Sequence, residues 1–364
     1  MASRRAAAAA CCHISRRLIG SSSAASSRLL GYFHQPGGMV CLADSWSPTP
    51  PPDPPAAPTF EPIAASTSPR LSLEFLPVDA SGFTLYDSHR GLLLLRQRTK
   101  VGGPHLLVCD PVSRRHALLP PPPSSEASNF VAAALVSRRP GTGRGGLDFD
   151  AVLVTVPAGR PRAWVASVRD GKCLWRALPP SREAIDFHPF WFERQCVHAA
   201  GSLYWHVCNN DCALALDAAT MELSFARAPS LILDEYTFAK YRFGEMPDDG
   251  RLCVGALEWE RLLLCVRGKG RDDGWVLERD VCLRKVLDSV PGLPEDAMGR
   301  TSCTWLDDID AGRTGKVFIR TRGYGCFAYH LDTGRLDRLT TDDGLEYGNK
   351  IFAYFSPLDG GSDR

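Results

Sequence analysis

The chain has 364 residues, with 42 Lys and Arg against 41 Asp and Glu, so no excess charge favours nucleic acid or an anionic membrane as partner. The longer apolar runs, such as residues 6–12 and 92–95, fall far short of the ~18–20 residues a membrane helix needs. At this length the chain holds one large domain or two small ones.

In chain order, residues 1–43 contain no Asp or Glu, five Arg and many Ser and Ala. That composition fits a disordered or targeting region of transit-peptide type, or a low-complexity leader. Residues 44–70 are a Pro-rich linker, which can neither nucleate a helix nor join a ladder. From residue 71 to 358 apolar and polar residues alternate between Gly and Asp turns, and no long segment has a 3.6-residue period. Short helical pieces are predicted only around residues 181–185 and 293–298. Residues 359–364 form a tail. The body is predicted to be all-β.

Residues 87–123 set the pattern: three short apolar strands, turns between them, and a proline stop at Pro120–Pro123. The middle strand ends in Cys109-Asp110-Pro111, where an acidic side chain can bond the turn backbone. Copies follow at Asp170, Asp217, Asp280 and Asp332, the one at Asp280 being weaker and the one at Asp332 the cleanest. Their intervals of 47–63 residues fit the ~40–50 residues of a four-stranded blade plus insertions, and a solenoid would show a tighter period. Residues 82–358 therefore predict a β-propeller of about six four-stranded blades. The strand beginning at Ile351 is predicted to complete a blade begun at the other end of the domain, close to residues 71–87, so that no sheet edge is left exposed.

Residues 87–123 also carry a family resemblance. Asp87-Ser88-His-Arg-Gly91-Leu-Leu-Leu-Leu95, then Val108-Cys-Asp-Pro-Val-Ser-Arg, then Leu119-Pro-Pro-Pro, closely resemble the opening of the kelch-like, F-box-associated β-propeller of plant F-box proteins. Residues 27–34 resemble the connector that follows the F-box helices in such proteins. The resemblance covers roughly residues 72–357 and implies the substrate-recognition half of a Skp–cullin–F-box ubiquitin ligase. The chain departs from the family at its start: residues 1–30 have too few large apolar residues for the Leu-rich helices of an F-box. The adaptor-binding half is expected to be missing, which leaves a Skp-type adaptor as an open partner.

Candidate chemistry is sparse. Gly141-Thr-Gly143-Arg-Gly-Gly146 matches a dinucleotide loop only in its letters, because a strand follows where a helix must stand. His198, His206, Cys208 and Cys212 have metal-ligand types, but the C-x3-C pair lacks a second knuckle. Asp307-Asp308-Ile-Asp310 and Asp342-Asp343 are paired carboxylates that could converge in a propeller channel, as glycosidases require, although acidic turns are usually solvated. No catalytic, cofactor or metal residue is assigned. Thirteen scattered cysteines, among them Cys109, Cys253, Cys265 and Cys326 in apolar runs, read as reduced core thiols. With no Asn-x-Ser/Thr acceptor, a cytoplasmic or nuclear location is expected, with mitochondrion or chloroplast as the alternative from the N-terminal composition.

The residues favoured for function are Phe190, Trp191, Phe192 and Arg194, an aromatic and Arg cluster between predicted blades, with Tyr324 as a further member. They predict a non-catalytic interaction module that binds a protein through its loops, and the resemblance implies that this protein is a ubiquitination substrate. The alternative is a hydrolase-type enzyme using carboxylates at the central channel.

Overall fold

The computed structural model describes residues 28–36, 56–63, 71–77, 79–97, 106–123, 130–138, 146–208, 210–232, 241–268, 274–341 and 344–356. The Gly-rich residues 141–145, Asp342, Asp343, most of residues 1–70 and the 359–364 tail lie outside them.

Two strands come first, β1 (Leu29–Gln35) and β2 (Thr59–Pro62). Blade 1 follows as β3 (Phe83–His89), β4 (Leu92–Gln97), β5 (Leu106–Asp110) and β6 (Arg115–Leu119). Blade 2 is β7 (Ala132–Arg138), β8 (Phe149–Thr155), β9 (Arg162–Arg169) and β10 (Lys172–Ala177). Blade 3 is β11 (Phe192–Ala199), β12 (Ser202–Val207), β13 (Cys212–Asp217) and β14 (Leu223–Arg227). Blade 4 is β15 (Tyr241–Glu245), β16 (Leu252–Glu258), β17 (Arg261–Arg267) and β18 (Trp275–Cys282). Blade 5 is β19 (Thr304–Asp310), β20 (Lys316–Thr321), β21 (Gly325–His330) and β22 (Leu336–Arg338). The last strand, β23 (Asn349–Phe355), pairs with β1, and β1 with β2, to make blade 6.

Each blade is an antiparallel meander, and the six make a closed propeller. Packing shows the closure directly. The run Leu92–Leu95 is buried throughout because the sheet is covered on both faces. Leu92 and Leu94 turn toward blade 2, and Leu93 and Leu95 toward blade 6. The same division recurs around the ring, giving six apolar clusters among the described residues, one per blade interface.

The ring closes differently from the sequence expectation. Residues 71–87 do lie beside the C-terminal strand: Leu73, Leu76, Phe83 and Leu85 pack with Phe352 and Tyr354. The strand that pairs with β23, however, comes from within residues 1–43, and the next from within 44–70. The propeller therefore begins before residue 71. Phe33 is fully buried against Phe60 and Tyr354, and the Gln35 amide donates to the Phe83 carbonyl (2.8 Å) while accepting from Leu85 N–H (3.2 Å). A short aromatic strand hidden in an Arg/Ser-rich, acid-free stretch gives no alternating signal long enough to register.

Two further readings need correction. Asp110, Asp217 and Asp332 do accept from backbone N–H groups one to three residues on. Asp170 instead sits at φ 48° in a two-residue turn with Gly171 at φ 74°. Asp280 is no turn residue: it lies within β18 opposite Leu263 and pairs with Arg261. The helical pieces also shift. Residues 181–185 are irregular, whereas α1 (Arg284–Leu287), α2 (Ala297–Cys303), N-capped by Asp296, and α3 (Ala311–Thr314) are helical. No described helix is long and apolar enough to cross a membrane.

A chain starting at residue 71 lacks β1 and β2 and leaves β23 unpaired. In circular-dichroism melts it is expected to lose the cooperative transition of the full chain. Gly31→Ala should cost on the order of 1–3 kcal/mol in the same measurement, because its Cβ would sit 2.2 Å from the Glu61 carbonyl oxygen.

Candidate functional site

The inner strands β3, β7, β11, β15, β19 and β23 surround the ring axis. Five of them break register: β3 between Leu85 and Asp87, β7 between Leu135 and Ser137, β11 between Phe192 and Cys196, β19 between Leu306 and Asp308, and β23 between Asn349 and Ile351. Such bulges re-aim side chains. Here they deliver polar groups to the channel from a sheet that is otherwise apolar.

At one end of the channel the charges are matched. Glu193 meets Arg242 at 3.2 Å, and Arg320 meets Asp307 at 3.1 Å. Burial opposes ionisation of Glu193, yet Arg242 and Lys350 hold its carboxyl down at about 2. Burial, and then Arg242, pushes the His206 imidazole down to about 3, so the ring is neutral and accepts from Phe243 N–H (3.0 Å).

The other end is richer in carboxylates. Asp87, 1% exposed, accepts from Ser88 N–H (2.8 Å), from Leu135 N–H of blade 2 (2.8 Å) and from His198 of blade 3 (2.9 Å). The Ser88 hydroxyl donates to the Ala353 carbonyl of blade 6 (2.9 Å). One dipeptide thus ties together four blades. His89 stacks on His198 with centroids 4.0 Å apart, and burial, with His198 beside it, holds its pKa well below the ordinary value. Asp308 and Asp310 reach the same place from β19. Burial, and then the neighbouring Asp310, raises the Asp308 carboxyl to about 7. Arg313 of α3 donates to Asp310 Oδ1 at 2.6 Å. Asp87, Ser88, His198, Asp308, Asp310 and Arg313, with Gln195, line a cavity of about 20 Å³, room for little more than one water.

The aromatic cluster lies at the opposite end, where the chain passes into each inner strand. A 3₁₀ turn over Pro189–Trp191 leads into β11. Trp191 is 41% exposed and stacks parallel on Phe187 at 6.3 Å. Phe187 in turn meets Phe192 edge-on at 5.3 Å. Arg194 is exposed. Phe192, by contrast, is 5% exposed and belongs to the core between blades 2 and 3, which removes it from a partner-facing set. The side chain of Phe190 lies outside the described residues. Tyr324 is half-buried, packed against the blade 4–5 core and near Gly292. Its hairpin joins second and third strands, so it emerges at the same ring end as Trp191, two blades away. Sequence reading missed Trp259, 56% exposed at φ 54° in the β16–β17 turn, which also belongs to that end.

Among the metal-type residues, His198 faces the channel, while His206 bonds a backbone amide of blade 4. The described residues contain no group of three His, Cys, Asp or Glu able to hold a metal ion. Arg313 and His89 were not singled out in the sequence. The Asp307–Asp310 carboxylates and His198 carried a chemical signal, and Asp87-Ser88 stood in the stretch that carries the family resemblance.

No family model matches the chain, and no curated protein matches it. Among solved structures, it is similar to a protein of unknown function from Bacteroides caccae, with 8% identity over 89% of this chain and 99% of that one, TM-score 0.42. It is also similar to the Cps50 (Swd1) β-propeller domain of Myceliophteria thermophila, with 11% identity, 71% and 85% coverage, TM-score 0.31. A prolyl endopeptidase matches with 12% identity over 91% of this chain and 50% of that one, TM-score 0.34. These likenesses carry no functional argument.

Two substitutions test the channel. Asp87→Ala strands His198 and the Leu135 amide and should cost about 3–5 kcal/mol in denaturant unfolding. Asp308→Asn should gain stability over the parent as pH rises. Burial holds the folded Asp308 carboxyl above its ordinary range, so the stability its protonated form contributes to the parent is full below about 4 and lost as pH rises through about 7. The melting temperature of Asp308→Asn minus that of the parent should therefore rise over that window and then level off.

Proposed function

We propose that this chain is a non-catalytic protein-interaction module that engages a partner through the ring end bearing Trp191 and Arg194. The observation that carries the reading is the exposed Trp191 indole, held on Phe187 and anchored through Phe192 to the core. A rigid, solvent-facing aromatic beside an exposed Arg is the kind of pair that dominates protein interfaces. It loses little conformational freedom on binding. The resemblance of residues 87–123 gives the partner its class: a protein recruited for ubiquitination, in the manner of the substrate-recognition domain of an F-box protein. Binding of a Skp-type adaptor by this chain forms part of the same proposal, as does a cytoplasmic or nuclear location.

The channel supports a non-catalytic reading, because a cavity of about 20 Å³ is far below the ~300–1,000 Å³ of a small-molecule site. One observation favours the hydrolase alternative: a carboxyl that titrates near neutrality stands close to an Asp–His pair. If that alternative held, chromogenic ester or glycoside turnover by the full chain would fall on Asp308→Asn substitution. The expected result is no turnover by either protein.

The interaction reading is tested with proximity labelling in plant cells, comparing the parent with Trp191→Ala and Arg194→Ala. Partners of the parent should be depleted about tenfold or more in the Trp191→Ala variant while its melting temperature stays within a degree or two. Equal labelling by the parent and both variants would contradict the assignment of this surface.

A further inference from the structure

We propose that the cavity at the carboxylate-rich end of the channel binds a primary ammonium group, either free ammonium or the end of an alkylammonium such as a lysine side chain. This site is separate from the Trp191 surface and lies at the other end of the ring.

Three carboxylates, Asp87, Asp308 and Asp310, line a space the size of one water, together with Ser88, Gln195 and His198. The described residues do not supply enough donors for them. Asp87 is satisfied by Ser88 N–H, Leu135 N–H and His198, and Asp308 Oδ1 by Ile309 N–H (2.8 Å). Asp310 is 5% exposed; its Oδ1 takes the Arg313 guanidinium, while its buried Oδ2 has no partner among the described residues. An unpartnered buried carboxylate oxygen is costly and calls for a bound species.

Size and charge select that species. Among the described residues Arg313 is the one guanidinium lining the cavity, and the stacked His89 nearby is held neutral, so a donor bearing positive charge is favoured over a neutral one. A metal ion would need convergent ligands that the described residues do not provide. A quaternary ammonium has neither the N–H donors nor the small size. An NH₃⁺ group has the volume of a water, three or more donors and the charge. The Arg313 side chain is 35% exposed, so solvent reaches this end of the channel.

The test uses the full chain at pH 8 and constant ionic strength, titrated separately with ammonium, methylammonium, Nα-acetyl-lysine amide, sodium and tetramethylammonium chlorides. Melting temperature is recorded with each, and bound ¹⁵N-ammonium is followed by NMR. A saturable rise in melting temperature with ammonium or methylammonium, absent with sodium and tetramethylammonium, is expected. A rise with ammonium alone assigns the site to the free ion; a rise extending to the lysine amide assigns it to alkylammonium side chains. Asp310→Asn should weaken apparent affinity about tenfold or more. Asp308→Asn, which keeps the Asp310–Arg313 pair, should weaken it too and decides the matter if Asp310→Asn does not fold. An identical response to all five salts would overturn the proposal and leave the cavity with water only. So would an ammonium response unchanged in a folded variant.

Discussion

A propeller needs something to hold its innermost strands together, because each blade's apolar faces see only its two neighbours. In this protein the buried Asp87 carboxylate is that device. It accepts from backbone in blade 2 and from His198 in blade 3, while Ser88 beside it donates to blade 6. A buried charge is tolerated only when its lone pairs are filled, and here filling them requires blades 1, 2 and 3 to be in place at once. Local satisfaction of one side chain therefore demands that three blades hold their ring positions, and Ser88 adds a fourth. The same hairpin ends in Arg90 at φ 50° and Gly91 at φ 73°, and the Gly91 carbonyl accepts from Tyr354 of blade 6 (2.9 Å) and Arg138 of blade 2 (3.2 Å).

This gives the Asp-Ser-x-x-Gly-Leu-Leu-Leu-Leu stretch a physical meaning. The first two residues knot the blades, Gly91 makes the tight turn, and the four leucines fill two blade interfaces by alternation. Its resemblance to a family opening is thus a resemblance in how a ring is closed. The chemistry of this chain has to be sought elsewhere: at the exposed Trp191, or at the carboxylates left over where the channel ends.

The strands of blades 1 to 5 were legible because each carries an apolar run bounded by turn residues; turn spacing pointed to a propeller, and blade number followed from the length of residues 82–358 at about 45 residues per blade. The spacing argument survived one false member, since Asp280 is a strand residue whose acidic side chain serves a cross-strand ion pair. Blade 6 was illegible at its N-terminal side. Gly31, Tyr32, Phe33 and His34 stand in a composition that reads as a leader, and their role depends on β23, some 320 residues away. At the candidate sites, residue type was readable and direction was not. Phe192 and Trp191 are neighbours in sequence, yet one faces the core and the other solvent. Asp308 and Asp310 looked like solvated turn acids, and only the β19 bulge and the ring geometry bury them.

The two ends of the channel differ in a way that fits a division of labour. At the Trp191 end, Glu193, Arg242, Asp307 and Arg320 neutralise one another, leaving the surface aromatics as its distinguishing feature. At the other end carboxylates exceed their cations. The central claim is that Asp87 locks the inner strands into one cooperative unit. Native-state hydrogen exchange tests it most directly, at the Leu135 amide that Asp87 accepts from and at the inner-strand amides of β3, β7, β11 and β23. The account predicts that these amides exchange together, at the rate set by global unfolding. If the Leu135 amide exchanges as fast as amides of the outer strands β6 and β10, the lock does not hold and the ring is kept closed by apolar packing alone.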